Sequence, residues 1–311
     1  MPFNRVLVPT DFSAGADAAL DHAVSMAGRF QASLHLLHVV NDPGAGLYGL
    51  GEAELRMDRL KEEAEKRARE RLRELAQESS AVEVHPRVAR QSSLGIGEAV
   101  HEYAEAHEVD LVVMGTHGRR GLERLVLGSV ANTLIRQSNC PVMTVRERGD
   151  DADTSDEVNY KNLLAPIDFS DYSRAALQLS KVVAHRYGGT QHLLFVAEKR
   201  VLPTFSDTGL PGIGVVEMDP EIVANAESAL EALNDAVEGP EVESDYHVRE
   251  GDVAEDIVDF AGTEAVDLIV MATRGLTGID RFVIGSNTER VVRSAPCPVL
   301  TVPLPPGERD E

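Results

Sequence analysis

Residues 115–129 contain Gly115, Thr116, His117 and Gly118, then nine residues, then Gly128 and Ser129. Glycine lets backbone N–H groups approach an anion because no Cβ stands in the way, and it opens positive φ. Gly128 and Ser129 fall where a helix-like segment begins. A helix start offers unpaired N–H groups and a dipole that favours negative charge. That chemistry suits a polyphosphate, with the Ser129 hydroxyl as a further donor. The same residues suit a tight strand-to-helix loop with Ser129 as N-cap, and spacing alone leaves both readings open. A second group, Pro9, Thr10, Asp11, Phe12 and Ser13, closes the first apolar run. Its acid can accept bonds from a base or a ribose hydroxyl. Equally, Asp11 or Ser13 can cap the helix that follows.

The elements that hold these groups occur twice. The 37 residues from Val109 align without gaps on those from Val266, at an offset of 157, with 18 positions identical. The same offset aligns VLVPTDFS from Val6 with LLAPIDFS from Leu163. A constant offset at both ends means a duplicated domain. The expected domains are 1–147 and 160–304, joined by a polar, acidic linker at 148–159. In the first copy, strand-like runs at 5–9, 33–40, 82–88, 109–114 and 141–146 alternate with helix-like segments near 14–29, 52–78, 95–107 and 128–137. The second copy repeats this, with strands near 161–167, 191–197, 242–248, 266–271 and 298–303. Runs such as VDLVVM and VDLIVM are continuously apolar, as in strands covered on both faces. The expectation is α/β: two tandem doubly wound domains, each a five-stranded parallel sheet with helices on both faces. Ligands in such sheets sit beyond the carboxyl ends of the strands, where strand order reverses. The turns after strands 1 and 4 are therefore the places to look.

Composition narrows the function classes. The 311 residues carry 52 acids against 30 bases, a net charge of −22. A nucleic-acid or anionic-membrane partner would need a basic surface, so neither is expected. Only five of the bases are Lys, an acid-rich balance that resembles proteins of salt-rich cytoplasm. Cys140 and Cys297 are too few for a disulfide scaffold or a thiolate metal site. No run approaches the ~18 apolar residues of a membrane span, and no signal-peptide pattern opens the chain. A cytoplasmic protein is expected.

Together these motifs resemble the universal stress protein family in its tandem two-domain form. The resemblance spans the chain through VPTDFS, LLHVV, VVMGTHG and the closing CPVMTV. ATP-binding members carry G-x2-G-x9-G-[ST], which Gly115, Gly118, Gly128 and Ser129 match completely. The resemblance implies strand order 3-2-1-4-5 and adenine-nucleotide binding, commonly with a divalent ion such as Mg. Pro9, Thr10, Asp11 and Val39 would surround adenine and ribose. Met114 and Gly115 would line the strand-4 turn, and Gly118, Gly128, Ser129 and Val130 would hold phosphates. It also implies an internal pseudo-dimer, with a further homodimer open. The expected role is a stress-response regulator that binds ATP or a related adenine nucleotide. The alternatives are a nucleotide-independent interaction protein and a slow ATP-hydrolysing enzyme of the same fold.

The second copy departs from this pattern. Ala272 replaces the first glycine, Ile167 replaces Thr10 and Asn287 replaces Val130, while Asp168, Gly275, Gly285 and Ser286 remain. If position 272 needs a glycine-specific φ, the alanine costs on the order of 1 kcal/mol. The first copy is therefore the better expected site.

Other features carry less. No G-x4-G-K-[ST] occurs, so P-loop chemistry lacks its lysine. Gly44, Gly46 and Gly49 spell G-x-G-x-x-G after strand 2, the wrong turn for a dinucleotide fingerprint, and read as a loop. The insertion from Arg200 to Pro220 reads as a solvated loop, with a lid or partner surface as its sharper alternative. Residues 56–78 hold eight bases and seven acids, a salt-bridged solvated face. Arg119 and Arg120 sit inside the glycine loop and could reach a phosphate, a feature of the first copy alone because the second has Leu276 and Thr277 there; Arg124 matches Arg281, which suits a structural role at the loop equally well. The histidines show no H-x-H or H-x3-H pattern supported by acids, so no metal ligands are expected; His38 reads as a core residue. Cys140 and Cys297 read as buried structural thiols, and no catalytic residue is assigned.

Overall fold

The computed structural model describes residues 3–40, 52–79, 81–91, 94–116, 127–146, 158–198, 200–205, 211–216, 220–274 and 284–303. The chain divides into two compact units, Met1–Asn159 with Pro305–Glu311, and Tyr160–Leu304. Residues 148–157 of the expected linker lie outside the described residues.

Unit 1 runs β1 (Arg5–Pro9), α1 (Ala14–Phe30), β2 (Ser33–Val40), α2 (Glu52–Glu78), β3 (Val84–Arg90), α3 (Ile96–Ala106), β4 (Leu111–Gly115), α4 (Ser129–Gln137) and β5 (Val142–Val145). Its strands pair in parallel in the order β3-β2-β1-β4-β5. Strand order reverses between β1 and β4, so the switch point lies at their carboxyl ends. The continuous apolar strands are buried as expected: Leu111, Val112 and Val113 are fully enclosed. Asp110 fixes where β4 starts, because one of its carboxylate oxygens accepts the Asn4 and Arg5 N–H groups at 2.8 and 3.0 Å. Helix α2 does carry an exposed Arg71–Glu74 pair, whereas Glu65 is buried and is held by Arg69 and by Arg90 of β3. The face that carries Glu65 also buries Ala68, Leu72 and Leu75, the spacing of an amphipathic helix laid on a sheet.

Unit 2 runs β6 (Asn162–Pro166), α5 (Asp171–Tyr187), β7 (Thr190–Glu198), β8 (Arg200–Phe205), β9 (Pro211–Val216), α6 (Pro220–Ala236), β10 (Ser244–Gly251), α7 (Val253–Thr263), β11 (Leu268–Ala272), α8 (Ser286–Ser294) and β12 (Val299–Val302). Five strands repeat the parallel order, β10-β7-β6-β11-β12. The Asp110 device recurs: Asp267 accepts the Lys161 and Asn162 N–H groups at 2.7 and 2.9 Å. The aromatic pair under the first helix recurs too, Phe3–Phe30 becoming Tyr160–Tyr187, both at 4.8 Å. The insertion after β7 carries regular structure: β8 and β9 pair as an antiparallel hairpin, from Arg200 opposite Val216 to Phe205 opposite Pro211. Among the described residues no helix is long and apolar enough to cross a membrane.

Candidate functional site

At the switch point of unit 1 the chain turns sharply after Pro9. The Thr10 N–H continues the β2 ladder by donating to the Leu37 carbonyl at 2.8 Å. The Thr10 hydroxyl accepts the Phe12 N–H at 3.0 Å, and Phe12 takes φ 61°, a left-handed conformation rare for a bulky residue. The Phe12 ring stacks on His38, centroids 4.6 Å apart. His38 Nδ1 lies 2.7 Å from the Thr10 carbonyl, so that nitrogen carries the proton and donates. His38 is thus half-buried and tied to the turn rather than closed inside the core. Val39, beside it on β2, is buried.

Of the two candidate caps Ser13 takes the role, and Asp11 holds Ser13 in place. Asp11 Oδ1 accepts both the Ser13 N–H at 3.1 Å and the Ser13 hydroxyl at 2.6 Å. Ser13 in turn caps α1 by accepting the Ala16 N–H. Unit 2 builds the same turn: Asp168 Oδ1 accepts from Ser170, and Ser170 caps α5. Phe169 repeats the positive φ at 63°.

The strand-4 turn closes against this one. Met114 is buried, and Gly115 ends β4 opposite Val145. A Cβ on Gly115 would stand 2.8 Å from the Gly15 carbonyl oxygen in the first turn of α1. Gly115 has no positive φ, so its demand is steric and not conformational, and Ala272 in unit 2 meets no glycine-specific φ penalty inherited from this position. Thr116 is buried; its N–H reaches the Val145 carbonyl and its carbonyl accepts the Gly128 N–H, both at 2.9 Å.

That last bond sets the start of α4. Gly128, not Ser129, is the N-cap, with φ −60° and ψ 149°, and no side chain caps the helix. Ser129 is the exposed first helical residue, followed by half-buried Val130. The first-turn N–H groups have no partners within the helix, so α4 presents donors and a positive dipole end beside the turn after β4. Unit 2 matches this at α8, with Gly285 as N-cap bonded to the Thr273 carbonyl and Ser286 as first helical residue. Gly118, Arg119, Arg120, Arg124, Gly275 and Arg281 lie outside the described residues, as do Gly44, Gly46 and Gly49.

Among the described residues the units differ at the second strand. Phe195 stands where unit 1 has His38, and Phe169 packs on it at 5.3 Å. Around them Ala165, Ile167, Leu177, Leu193, Leu230 and Leu233 form a closed apolar cluster.

The universal stress protein family model matches residues 2–146 and again residues 159–303. The chain belongs to the universal stress protein family. Over 146 residues it is 36% identical to the universal stress protein MJ0531 of Methanocaldococcus jannaschii, covering 47% of this chain and 83% of that protein. Over 151 residues it is 34% identical to the universal stress protein YxiE of Bacillus subtilis, covering 46% of this chain and 99% of that one. A solved universal stress protein from Archaeoglobus fulgidus has the same fold, with a TM-score of 0.68 at 21% identity, covering 97% of this chain and 99% of that chain. Each curated relative thus corresponds to about one of the two family domains carried here.

The two thiols fit a structural role. Burial raises the Cys140 thiol above its ordinary range, and burial, with Asp267 nearby, pushes Cys297 up to about 12. Neither is a ready thiolate. Five of the ten histidines gather in space, His35, His85 and His107 in unit 1 and His192 and His247 in unit 2, between the outer two strands and the third helix of each unit, a grouping carried by strand register and invisible to a search for ligands spaced along one segment.

Proposed function

We propose that the chain binds an adenine nucleotide at the β1–β4 switch point of unit 1 and serves as a cytoplasmic stress-response regulator through that binding. The carrying observation is the start of α4: a glycine N-cap, no capping side chain, and a first turn placed next to the end of β4. An anion supplies the acceptors and the negative charge that such a helix start lacks. Gly128 and Ser129, with Val130 behind them, would hold phosphates. Thr10, Asp11 and Val39 would border the base and ribose, beside Pro9 and Met114. The residues fit the group chemically: the phosphate end meets N–H donors, and the base end meets the stacked Phe12–His38 pair and a buried valine. Bound Mg would neutralise part of the phosphate charge.

Unit 2 keeps Asp168, Gly285 and Ser286 but fills the base end with Ile167, Phe169 and Phe195. It is the weaker site in this reading. Binding, not turnover, is the proposed activity, since no described side chain is assigned as a base for an attacking water. One observation favours a nucleotide-independent interaction protein. Gly115 is accounted for by its contact with Gly15, and Asp11 by its bonds to Ser13, without any ligand.

The test is chromatography of nucleotide released on denaturing protein purified in high salt, before and after soaking with Mg-ATP. A stoichiometry near one per chain is expected, and it should fall to near zero in Gly128→Leu but not in Gly285→Leu. No nucleotide after soaking would sink the proposal in favour of the interaction protein. Unchanged loading of Gly128→Leu would move the site away from α4.

A further inference from the structure

We propose that His192, Asp245 and His247 form a binding site for a divalent first-row transition metal of the zinc class, bridging β7 and the outer strand β10. One ligand atom from each of these side chains lies within 4.8 Å of the other two. His192 Nδ1 is 3.2 Å from His247 Nε2 and 3.5 Å from Asp245 Oδ2. A tetrahedral ion with metal–ligand bonds of about 2.0–2.2 Å holds its ligands about 3.3–3.5 Å apart. The two separations from His192 match that spacing, and the third, between Asp245 and His247, lies within 4.8 Å. They match a hydrogen-bonded network less well, because the single His192 Nδ1 either donates its proton to Asp245 or accepts one from His247 Nε2, and so satisfies one neighbour at a time. A divalent cation satisfies all three atoms together.

Strand register places the ligands. In the parallel β7–β10 pair, Asp245 lies opposite His192 and His247 lies opposite Leu194, so the acid and the second imidazole share one face with His192. Phe260 of α7 closes the inner side, its ring 5.8 Å from His192 and 4.8 Å from His247. Arg249 lies over that ring and pairs with Asp259 at 2.8 Å, directing its charge to a different carboxylate. The His192 side chain is 12% exposed and that of Asp245 57% exposed. Solvent therefore reaches the carboxylate side, which gives an entry path and a fourth position for water.

Unit 1 supplies the internal control. His35 matches His192, and the register sets His85 opposite it and Arg87 two residues on. There His35 Nδ1 is bonded to the Tyr103 hydroxyl at 2.9 Å. Going from unit 1 to unit 2, Tyr103 becomes Phe260, which removes the hydroxyl that occupies the imidazole. His85 gives way to Asp245, an anionic ligand. Arg87 gives way to His247, a ligand in place of a repelling cation. All three exchanges run in the direction that metal binding requires, and imidazole with carboxylate suits zinc, cobalt or nickel.

The test uses the untagged, metal-stripped full chain without nucleotide, titrated with Co2+ and followed by visible absorption, then challenged with Zn2+. Expected are one Co2+ per chain with the intense bands of a tetrahedral site, displacement by Zn2+, and a melting temperature that rises with Zn2+. Asp245→Asn and His247→Gln should each weaken binding by no less than the loss of an outer-shell partner, about 10–100-fold, while His85→Gln leaves it unchanged. Asp245 is exposed enough that its variant will fold, so it decides the matter if His247→Gln does not. Absence of Co2+ uptake by the parent chain, or uptake that persists in Asp245→Asn or vanishes in His85→Gln, would overturn the assignment.

Discussion

At the end of the second strand, unit 1 places His38 and unit 2 places Phe195. The first is half-buried and hydrogen-bonded to the Thr10 turn; the second joins a closed apolar cluster with Ile167 and Phe169. The sheet order, the Asp–Ser capped first helix and the glycine-capped helix after strand 4 are common to both. A duplicated scaffold has thus kept the parts that build its turns and diverged in what those turns face. Close approaches of backbone diverge as well. Unit 1 has Gly115 against Gly15 where unit 2 has Ala272. Unit 2 has Gly189, whose Cβ would meet the Tyr160 carbonyl oxygen at 2.7 Å, where unit 1 accommodates a buried Ala32.

The sharpest way to break this comparison is to exchange side chains at the strand-4 end. In Gly115→Val the Cβ itself meets backbone at 2.8 Å, so no rotamer relieves it. The expected loss is about 3 kcal/mol, at the upper end for overpacking. Ala272→Gly removes only a methyl group and adds backbone freedom, for about 1 kcal/mol. Urea unfolding of the full chain reads both. Equal losses would mean that the two strand ends are under the same constraint and that the contact with Gly15 does not distinguish them.

The histidine clusters give the next effect. His35 is buried among His85, His107, Arg87 and Arg5, and burial first, then these charges, lowers its pKa from 6.5 to about 4. The folded state therefore binds fewer protons than the unfolded chain between those values. The stabilisation is full above about pH 6.5 and is lost as pH falls toward 4. For one group this amounts to on the order of 2 kcal/mol. His35→Gln should remove that slope, so urea midpoints taken near neutrality and at mild acidity should differ less in the variant than in the parent. Identical slopes would show that His35 does not govern the acid response of unit 1.

What the sequence made legible follows from physics that acts locally. VDLVVM and VDLIVM read as covered strands because every residue in them is apolar or, like Asp110 and Asp267, sits at the start and binds backbone. The Pro-x-Asp-Phe-Ser turns read as helix starts because the capping partners are two and three residues apart. The glycine motif located the α4 start and left its cap open: Gly128 takes that place, its N–H bonded to the Thr116 carbonyl, and Ser129 falls one residue inside. The β8–β9 hairpin was hidden because Pro203, Pro211, Gly212 and Gly214 interrupt any strand pattern, and only cross-strand pairing reveals it. His192, Asp245 and His247 were hidden for a related reason: the two strands are more than fifty residues apart, and register, which no single segment encodes, brings them together.

The smallest expected effect sharpens the comparison at the end of the first helix. Both units finish that helix with a residue in the left-handed region, Gln31 at φ 56° in unit 1 and Gly188 at φ 61° in unit 2. Each cap N–H returns to the helix, Gln31 to Ala27 and Gly28, Gly188 to Ala184 and His185. The hydrogen bonding is therefore the same, and the difference is the Cβ that Gln31 carries in a conformation glycine adopts freely. Gln31→Gly should stabilise unit 1 by about 0.5–1 kcal/mol, the relief of left-handed strain less the extra freedom of glycine in the unfolded chain. Gly188→Gln should cost unit 2 about as much. A Cβ there would meet only Lys161 Nζ, at an ordinary 3.7 Å, so packing adds nothing to the conformational cost. Opposite signs of similar size in urea midpoints are expected. If both variants lose stability, Gln31 is held by more than its backbone, and the two helix ends are not the equivalent caps that their geometry describes.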